Sequence, residues 1–413
     1  MYLSKEEEKM LNGEYGEAIR LSMEILVKFG DIVKAEKLVP LKSAHVHGPY
    51  SSIRDSGVDF LEKFSNLGAK YTVLTTTNPL SADVEKWKRQ KLNERWFNQV
   101  MRIIKANERM GCIPTWTCIP YQEGFHPLYG DYVAWVESSA QVTANSIYGA
   151  RANRETLGIV VPAAIVGKVP KYGFRIYENR KGEILVKLKI QRLHDVDYPL
   201  IGYYLGAQVG DKIPVINGII ENSITQDRLK NLGAAAAAKG AVALYHIVGK
   251  TPEAKNINEA FHGDKPKDKL EIDYNVLKET KEEMCTFSGG KIDLVVLGCP
   301  FYSIQQIKKV TCYLKGKKIN KNVKLWIFTS SYIKKLGDIL GYTKIIESSN
   351  AEIYTGTCLI TSFMNSLKEL WGFNTIITDS GKLAYYAPTD CKVNVIYAST
   401  KECIEAALRG EYG

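Results

Sequence analysis

Short apolar runs alternate with amphipathic segments through the last third of the chain, from about residue 279 onward. The run 293–297, closed by Gly298 and Pro300, is typical of a buried strand in a parallel sheet. Similar runs predict strands at 324–328, 375–378 and 393–397, and the segments between them predict helices at 303–314, from 331, near 363–370 and at 400–408. This order predicts a βα array built on a parallel sheet.

The first 150 residues show a looser form of the same pattern. Apolar residues at helical spacing predict helices over 5–29, with Gly30 as the end, and over 59–67 and 84–109. A strand is predicted at 71–74, followed by a polar cluster at 75–79. The segment 112–121 has prolines on both sides of Cys118, so we expect it to be irregular.

The middle region contains strand-like runs at 174–178, 184–190 and 241–247, and a predicted helix over 225–239 that includes a run of alanines. The Lys- and Asp-rich stretch 263–269 is typical of a surface loop or a domain boundary. We therefore predict an α/β protein of three domains, at residues 1–150, 151–278 and 279–413, with largely parallel sheets.

Composition narrows the class of protein. With 413 residues, 45% hydrophobic and 24% charged, the chain is typical of soluble globular proteins. It has no apolar run of the roughly 18 residues that span a bilayer, and its charged N-terminus does not resemble a signal peptide, so we expect a cytoplasmic protein without a membrane partner. The net charge of +10 comes from dispersed lysines, which favours an anionic small substrate, or a lysine-rich proteome, over nucleic acid.

Candidate chemistry lies where the predicted strands end, because open α/β sheets bind their ligands at that edge. Cys299 follows one strand, and the sequence Thr378-Asp379-Ser380-Gly381 follows another. A buried structural cysteine is the alternative interpretation of Cys299.

Three of the eight cysteines stand in breaks rich in Pro, Gly and Thr: Cys118, Cys299 and Cys358. No pair has the CxxC spacing of zinc fingers or thioredoxin-type sites. Three thiolates from distant points of a chain can hold an iron–sulfur cluster with one iron left open, or a zinc ion with a water molecule. Spacing does not choose between the two.

A second candidate feature is the helix predicted to open near Ser138 and Ser139, with Arg151 and Arg154 beyond it. A helix N-terminus favours an anion, and arginines can clamp a phosphate or carboxylate. The alternative is a capped helix with a solvated basic end.

Five segments carry a resemblance to a known family: TWTCIPY, WVESSAQVTANSIYGARANRE, LGCPFYS, TGTCLITSF and TDSGKLAYY. In this order, and over essentially the whole chain, the sequence resembles aconitase X, a divergent branch of the aconitase superfamily. The resemblance implies a multi-domain aconitase-like fold of three-layer α/β/α domains around a central cleft. It also implies that Cys118, Cys299 and Cys358 hold an iron–sulfur cluster, expected to be 4Fe-4S with one open iron.

The resemblance implies a hydro-lyase. Members of this family act as the large subunit of an archaeal phosphomevalonate dehydratase or as a dehydratase of cis-3-hydroxy-L-proline, the latter often with a small swivelling domain fused on. Because no such domain follows Gly413, we expect a separate small subunit and a phosphorylated hydroxy-acid substrate. The alternatives are the hydroxyproline activity, a non-enzymatic protein that binds anions or nucleic acid, and a cysteine-nucleophile hydrolase.

The expected reaction needs a base for the carbon-bound proton and donors for the substrate's anionic groups. Within this chain the best serine is Ser380, with Asp379 beside it, although the family places its serine base on the swivelling domain, and a turn or capping role for Ser380 is the alternative. His45 stands in the same loop as His47, and a satisfied structural histidine is the safer interpretation of both. The expected substrate-binding residues are Ser43, His47, Asn78, Glu137, Ser138, Ser139, Asn145, Arg151, Asn153, Arg154 and Lys382.

Overall fold

The computed structural model describes residues 1–219, 224–362 and 367–413. The N-terminal part is built on a three-stranded parallel sheet of order β3-β2-β4 and an antiparallel pair, β1 with β5. Its elements are α1 (Lys5–Leu11), α2 (Glu17–Ile32), β1 (Leu38–Pro40), β2 (Ser43–Val46), α3 (Tyr50–Asn66), β3 (Leu74–Thr77), α4 (Glu94–Arg109), β4 (Val133–Trp135), α5 (Ser138–Ser146), α6 (Leu157–Val166) and β5 (Lys168–Pro170).

The middle part contains a parallel sheet of order β8-β7-β6-β9. Its two long helices, α7 and α8, pack backbone to backbone, and a Cβ at Gly202 would lie 2.1 Å from the carbonyl oxygen of Leu232. The elements are β6 (Ile184–Leu188), α7 (Asp197–Val209), β7 (Pro214–Asn217), α8 (Gln226–Gly240), β8 (His246–Ile247), α9 (Ile257–Ala260), β9 (Asp268–Ile272) and α10 (Tyr274–Met284).

The C-terminal part contains a five-stranded parallel sheet of order β13-β12-β11-β14-β15, which confirms the predicted βα array. The elements are β10 (Gly290–Lys291), β11 (Leu294–Leu297), α11 (Ile304–Leu314), β12 (Lys324–Thr329), α12 (Ser331–Ile339), α13 (Tyr342–Ser348), β13 (Glu352–Thr355), α14 (Leu359–Ser362), α15 (Leu367–Trp371), β14 (Thr375–Thr378), α16 (Gly381–Asp390), β15 (Asn394–Tyr397), α17 (Thr400–Arg409) and β16 (Glu411–Tyr412).

Both faces of this five-stranded sheet are buried. Leu294 and Val296 on β11 pack into one hydrophobic cluster, whereas Val295 and Leu297 pack into another on the opposite side. Successive side chains of a strand point to opposite faces, so a continuous apolar run requires a layer of helices on each side. The C-terminal part is therefore a three-layer α/β/α unit.

The predicted single helix over 5–29 is wrong. It is divided into α1 and α2 because Gly13 and Gly16 have φ values of 89° and 94°, which a right-handed helix does not accommodate. The second helix continues past Gly30 to Ile32. Gly30 serves close packing instead of termination, since a Cβ there would lie 2.6 Å from the sulfur of Met1.

Other boundaries also differ from the prediction. The long helix begins at Glu94, not 84, because Asn93 caps it by accepting a hydrogen bond from the Trp96 N–H at 2.8 Å. The helix predicted at 59–67 begins at Tyr50, and the strand predicted at 71–74 lies at 74–77. The strand predicted at 174–178 is replaced by two 3₁₀ turns, and only His246–Ile247 of the run 241–247 pairs in a sheet. Of the helix predicted near 363–370, residues 363–366 lie outside the described residues.

The segment 157–170, past the predicted boundary at residue 150, packs with the N-terminal part through α6 against α2 and β5 against β1. Strand order in the C-terminal sheet reverses between β11 and β14, which opens a crevice at their carboxyl ends. Among the described residues, the helices are each too short or too polar to cross a bilayer.

Candidate functional site

Three cysteine thiols lie together at the carboxyl edge of the C-terminal sheet. Cys299 follows β11, Cys358 directly precedes α14, and Cys118 comes from the irregular segment of the N-terminal part. All three are free, and Cys118 and Cys299 are each 7% exposed. Each thiol acts electrostatically on at least one of the other two, so the structure brings together the three predicted cysteines.

Backbone and hydroxyl groups fix each of the three loops. The Phe301 N–H donates a hydrogen bond to the sulfur of Cys118 at 3.2 Å. A Cβ at Gly298 would lie 2.1 Å from the carbonyl oxygen of Phe328, so only glycine fits before Cys299. The hydroxyl groups of Thr357 and Thr361 donate to the Leu80 carbonyl at 3.0 and 2.8 Å, which ties the Cys358 loop to the N-terminal part.

The thiols differ in how readily they ionise. Burial raises the pKa of Cys118. The interaction between the neighbouring thiols of Cys299 and Cys358 raises the pKa of Cys299 and lowers the pKa of Cys358. Nearby Lys382 lowers the pKa of all three. The site therefore favours a thiolate at Cys358.

A buried ion pair joins two other predicted residues beside these thiols. Lys382 on α16 donates to Glu137, the residue that caps α5, at 2.6 Å. Burial alone would raise the pKa of Glu137, but Lys382 and the hydrogen bonds from Ser139 (2.5 Å) and the Ala140 N–H (2.6 Å) hold it below its usual value. Burial would lower the pKa of Lys382, and the carboxylate of Glu137 raises it. Both groups are therefore charged.

Polar side chains at the ends of β2 and β3 face inward. His45 bonds through Nδ1 to the Thr76 hydroxyl at 2.8 Å. In the part of the chain that is described, the buried atoms Nε2 of His45, Nδ1 of His47 and Oδ1 of Asn78 have no hydrogen-bond partner. Burial lowers the pKa of each histidine to about 4, so both are neutral near pH 7. Unpaired buried polar atoms are costly, and they are the groups that a ligand would satisfy.

Several predicted polar residues instead hold the fold. The amide of Asn145 bonds with the backbone of Ala152 and Ala243, and that of Asn153 bonds with the backbone of Tyr172 and Phe174. Ser43 accepts a hydrogen bond from the Trp135 indole at 3.2 Å, and Ser138 opens α5 directly after its cap. These contacts use the amide groups of Asn145 and Asn153 within the fold.

The two predicted arginines lie in different surroundings. Arg154 donates to the Ala237 carbonyl at 3.0 Å, and burial lowers its pKa. The negative charges of Tyr386 and Glu137 oppose this effect of burial, so Arg154 lies near the ion pair. Arg151 lies in another cluster, 3.7 Å from the carboxylate of Glu253 and over the ring of Tyr177.

Ser380 and Asp379 also make structural contacts. The Ser380 hydroxyl donates to the Cys299 carbonyl and accepts from the Leu383 N–H at 3.0 Å, so it caps α16. The carboxyl of Asp379 accepts hydrogen bonds from the hydroxyls of Tyr302 and of Thr400, the latter at 2.7 Å, and burial raises its pKa. Both side chains therefore brace the loops around Cys299.

Sequence reasoning missed the polar side chains that stand behind the cysteine loops. Lys230 and Asp227 on α8 contact residues two to four positions after Cys118 and Cys299. The charges of Lys382, Glu137 and Cys299 act on Tyr386. Tyr386 lies in the segment TDSGKLAYY that carries the family resemblance. Lys230 gave no sequence signal, because a lysine at helical spacing looks like a surface residue.

The three cysteine thiols suit an iron–sulfur cluster better than a single metal ion. In residues 1–219, 224–362 and 367–413, no three His, Cys, Asp or Glu side chains lie close enough to bind one metal ion together. A cluster makes a different demand, because each cysteine binds its own iron atom and the three sulfurs need not meet at one point. Three free, mutually interacting thiols beside an N–H donor and a lysine fit that demand.

In the described residues, three parallel sheets build the fold, and the crevice lined by cysteines lies at the edge of the C-terminal sheet. The chain belongs to the aconitase X family: models of its first, second and third domains match residues 1–178, 182–282 and 292–409.

Among solved structures, the chain is similar to the holo-form of aconitase X from Thermococcus kodakaraensis, with a TM-score of 0.88 and 37% identity over 98% of this chain and 100% of that one. Among curated proteins it is 39% identical to a phosphomevalonate dehydratase large subunit from Methanocaldococcus jannaschii, over 98% of this chain and 100% of the relative. It is also 30% identical to a cis-3-hydroxy-L-proline dehydratase from Pseudomonas aeruginosa, over 98% of this chain and 69% of that protein.

Proposed function

We propose that this chain is the large subunit of an iron–sulfur-dependent hydro-lyase that dehydrates mevalonate 5-phosphate to trans-anhydromevalonate 5-phosphate in the cytoplasm. The observation that carries the proposal is the convergence of Cys118, Cys299 and Cys358 beside the buried Glu137–Lys382 pair. The large-subunit relatives add support at 32–39% identity over most of their length, whereas the hydroxyproline dehydratases reach 28–30%.

Cys118, Cys299 and Cys358 would hold the cluster, expected to be 4Fe-4S. When bound, such a cluster supplies a Lewis-acidic iron for a hydroxyl group that leaves poorly by itself. The lowered pKa of Cys358 favours the thiolate form that a metal ligand needs.

The chain's own side chains would bind and orient the substrate. Lys382 keeps its proton because Glu137 raises its pKa, so it presents a fixed positive charge beside the thiols. Arg154, next to that pair, offers a second cation for a carboxylate or phosphate. The unpaired ring nitrogens of His45 and His47 would pair with a substrate hydroxyl or phosphate oxygen, and the unpaired Oδ1 of Asn78 would accept from a substrate hydroxyl.

We assign the general base to a separate small subunit. Ser380 is the candidate base within this chain, and its hydroxyl already donates to the Cys299 carbonyl and accepts from the Leu383 N–H. The relatives carry the words "large subunit", which supports a smaller partner that completes the site.

The test is an anaerobic preparation of the chain with its small subunit, followed by measurement of iron, sulfide and dehydration. We expect bound iron and sulfide and turnover of mevalonate 5-phosphate only when both subunits are present. Turnover of cis-3-hydroxy-L-proline in its place would assign the second activity of the family. A preparation that holds no iron after reconstitution would contradict the proposal.

A further inference from the structure

Lys230 on α8 is a fully buried lysine outside the predicted site, with a side-chain exposure of 0%. Its ammonium donates to Asp227 at 2.9 Å, to the Phe301 carbonyl at 2.9 Å and to the Gln306 amide oxygen at 2.7 Å. A lysine has three N–H donors, so these acceptors satisfy it completely. Burying an ion pair gains little stability over an apolar pair of the same size, which points to another reason for this charge.

The Phe301 backbone lies between Lys230 and Cys118. Its carbonyl accepts from Lys230, and its N–H donates to the Cys118 sulfur at 3.2 Å. Phe301 is two residues after Cys299 and has no exposed surface. The lysine therefore holds Phe301 through the peptide after it, while the N–H of the peptide before it binds the Cys118 sulfur of the other loop.

Asp227, the partner of Lys230, holds the same two loops by a second route. One carboxylate oxygen accepts from the Gln122 amide at 2.9 Å, and the other accepts from the Ser303 hydroxyl at 2.6 Å. Gln122 is four residues after Cys118, and Ser303 is four residues after Cys299. One turn of α8 in the middle part thus bonds to both loops.

We propose that Lys230, together with Asp227, is a positioning residue that sets the Phe301 N–H···Cys118 sulfur bond and thereby the retention and redox properties of the metal centre. Partners behind the ligands orient them and change metal affinity about 10- to 100-fold, and hydrogen bonds to sulfur tune the potential of iron–sulfur clusters. The effect of Lys230 on the cluster rests on the proposed function. Its effect on the Cys118 sulfur can be measured in the chain without a cluster.

The chain offers a matched control on the same helix. Lys239 also forms an ion pair, with Glu283 at 2.9 Å, and bonds to the Tyr203 hydroxyl at 3.2 Å, away from the cysteine loops. Lys230→Met and Lys239→Met therefore remove the same charge and one ion pair each from α8. Only the first removes a contact to the loops.

The first measurement uses the metal-free chain, in which alkylation of Cys118 by iodoacetamide is followed by mass spectrometry. We expect labelling about 10-fold faster in Lys230→Met than in wild type or Lys239→Met, because the loop that covers the sulfur is released. The second measurement uses the reconstituted chain with its small subunit. We expect iron loss to a chelator to be about 10- to 100-fold faster in Lys230→Met, with an altered EPR signal.

The outcomes separate the two proposals. If wild type and Lys239→Met take up no iron, the proposed function fails, while the alkylation rate still decides the role of Lys230. If Lys230→Met does not fold, Asp227→Asn replaces it, because that change keeps the side-chain shape and weakens the contacts of Asp227 with Lys230 and with the same two loops. Rates of labelling and iron loss equal to those of Lys239→Met would overturn the positioning role.

Discussion

The ammonium of Lys382 lies 2.6 Å from a carboxylate oxygen of Glu137, so one buried ion pair joins α16 of the C-terminal part to the start of α5 in the N-terminal part. The side chains are 14% and 8% exposed. Because each charged group has little access to water, each needs the opposite charge of its partner to remain stable in the ionised form.

Removing one partner of this pair should destabilise the protein strongly. We expect Lys382→Met to lower the free energy of unfolding by about 3–5 kcal/mol, because it leaves the Glu137 carboxylate buried without a counter-charge. The double change Lys382→Met with Glu137→Gln should recover part of that loss. Urea denaturation of the metal-free chain measures both. Lys401→Met, which removes a lysine that is 65% exposed and 3.7 Å from Glu405, is the control; an equal loss there would contradict the argument.

Cys299 should be required for both iron binding and turnover. We expect Cys299→Ala to bind less iron per chain and to lose dehydration activity, because one of three ligands is absent. Iron and sulfide analysis and the visible absorption of the cluster are the measurements. Cys403→Ala removes an equally small buried thiol, which contacts the Ala398 carbonyl, and should keep both properties. Full iron content in Cys299→Ala would exclude it as a ligand.

Glu123 should make stability depend on pH. Burial raises the pKa of its carboxyl to about 7, from an ordinary value of 4.5, against a hydrogen bond from Thr117 at 2.7 Å. Between these values the folded chain keeps a proton that the unfolded chain releases, so stability falls as the pH rises. Glu123→Gln removes this loss.

We therefore expect Glu123→Gln to match wild type near pH 4.5 and to exceed it by about 1–3 kcal/mol above pH 7. Thermal melting at a series of pH values measures the difference. Glu62→Gln is the control, because the Arg102 hydrogen bond lowers the pKa of that carboxyl and the effect of its loss should stay constant over this range. A constant difference for Glu123→Gln would contradict the assignment.

Gly298 should be irreplaceable before Cys299. Its φ is 99°, and an added Cβ would lie 2.1 Å from the Phe328 carbonyl oxygen. We expect Gly298→Ala to lower the free energy of unfolding by more than the roughly 1 kcal/mol that backbone strain alone would cost. It should also reduce iron uptake, because the loop must move. Gly316 has a φ of 73° and open space around it, so Gly316→Ala measures the backbone strain without a steric clash. Equal melting temperatures for the two variants would contradict the prediction.

The accuracy of the sequence-based predictions followed the strength of each local pattern. The C-terminal strands were predicted well because runs such as 293–297 are buried on both faces and carry an unambiguous signal. The run 174–178 has strand-like composition, yet Gly173 has a φ of 55° and Arg175 forms a buried ion pair with Glu155 at 2.6 Å. Tertiary contacts of this kind leave no mark in a window of sequence.

The same limit applied to the site. Cys118, Cys299 and Cys358 were found because each stands in an unusual break, and the family resemblance grouped them. Lys230 was missed because its spacing on α8 is ordinary, and only the fold brings it to Phe301. Asn145 was expected at the opening of a helix interpreted as an anion site and Asn153 beyond that helix, and the amides of both bond to backbone.

The distance along the chain between the cysteines has a consequence for biosynthesis. Cys118 and Cys358 stand 240 residues apart in the sequence, and α8, which braces two of the three loops, is translated between them. A ribosome must therefore add at least 240 residues after Cys118 before the three thiols can meet. On the proposed function, iron would therefore be inserted only after Cys358 has left the ribosome, and a product truncated before Cys358 would lack a complete site.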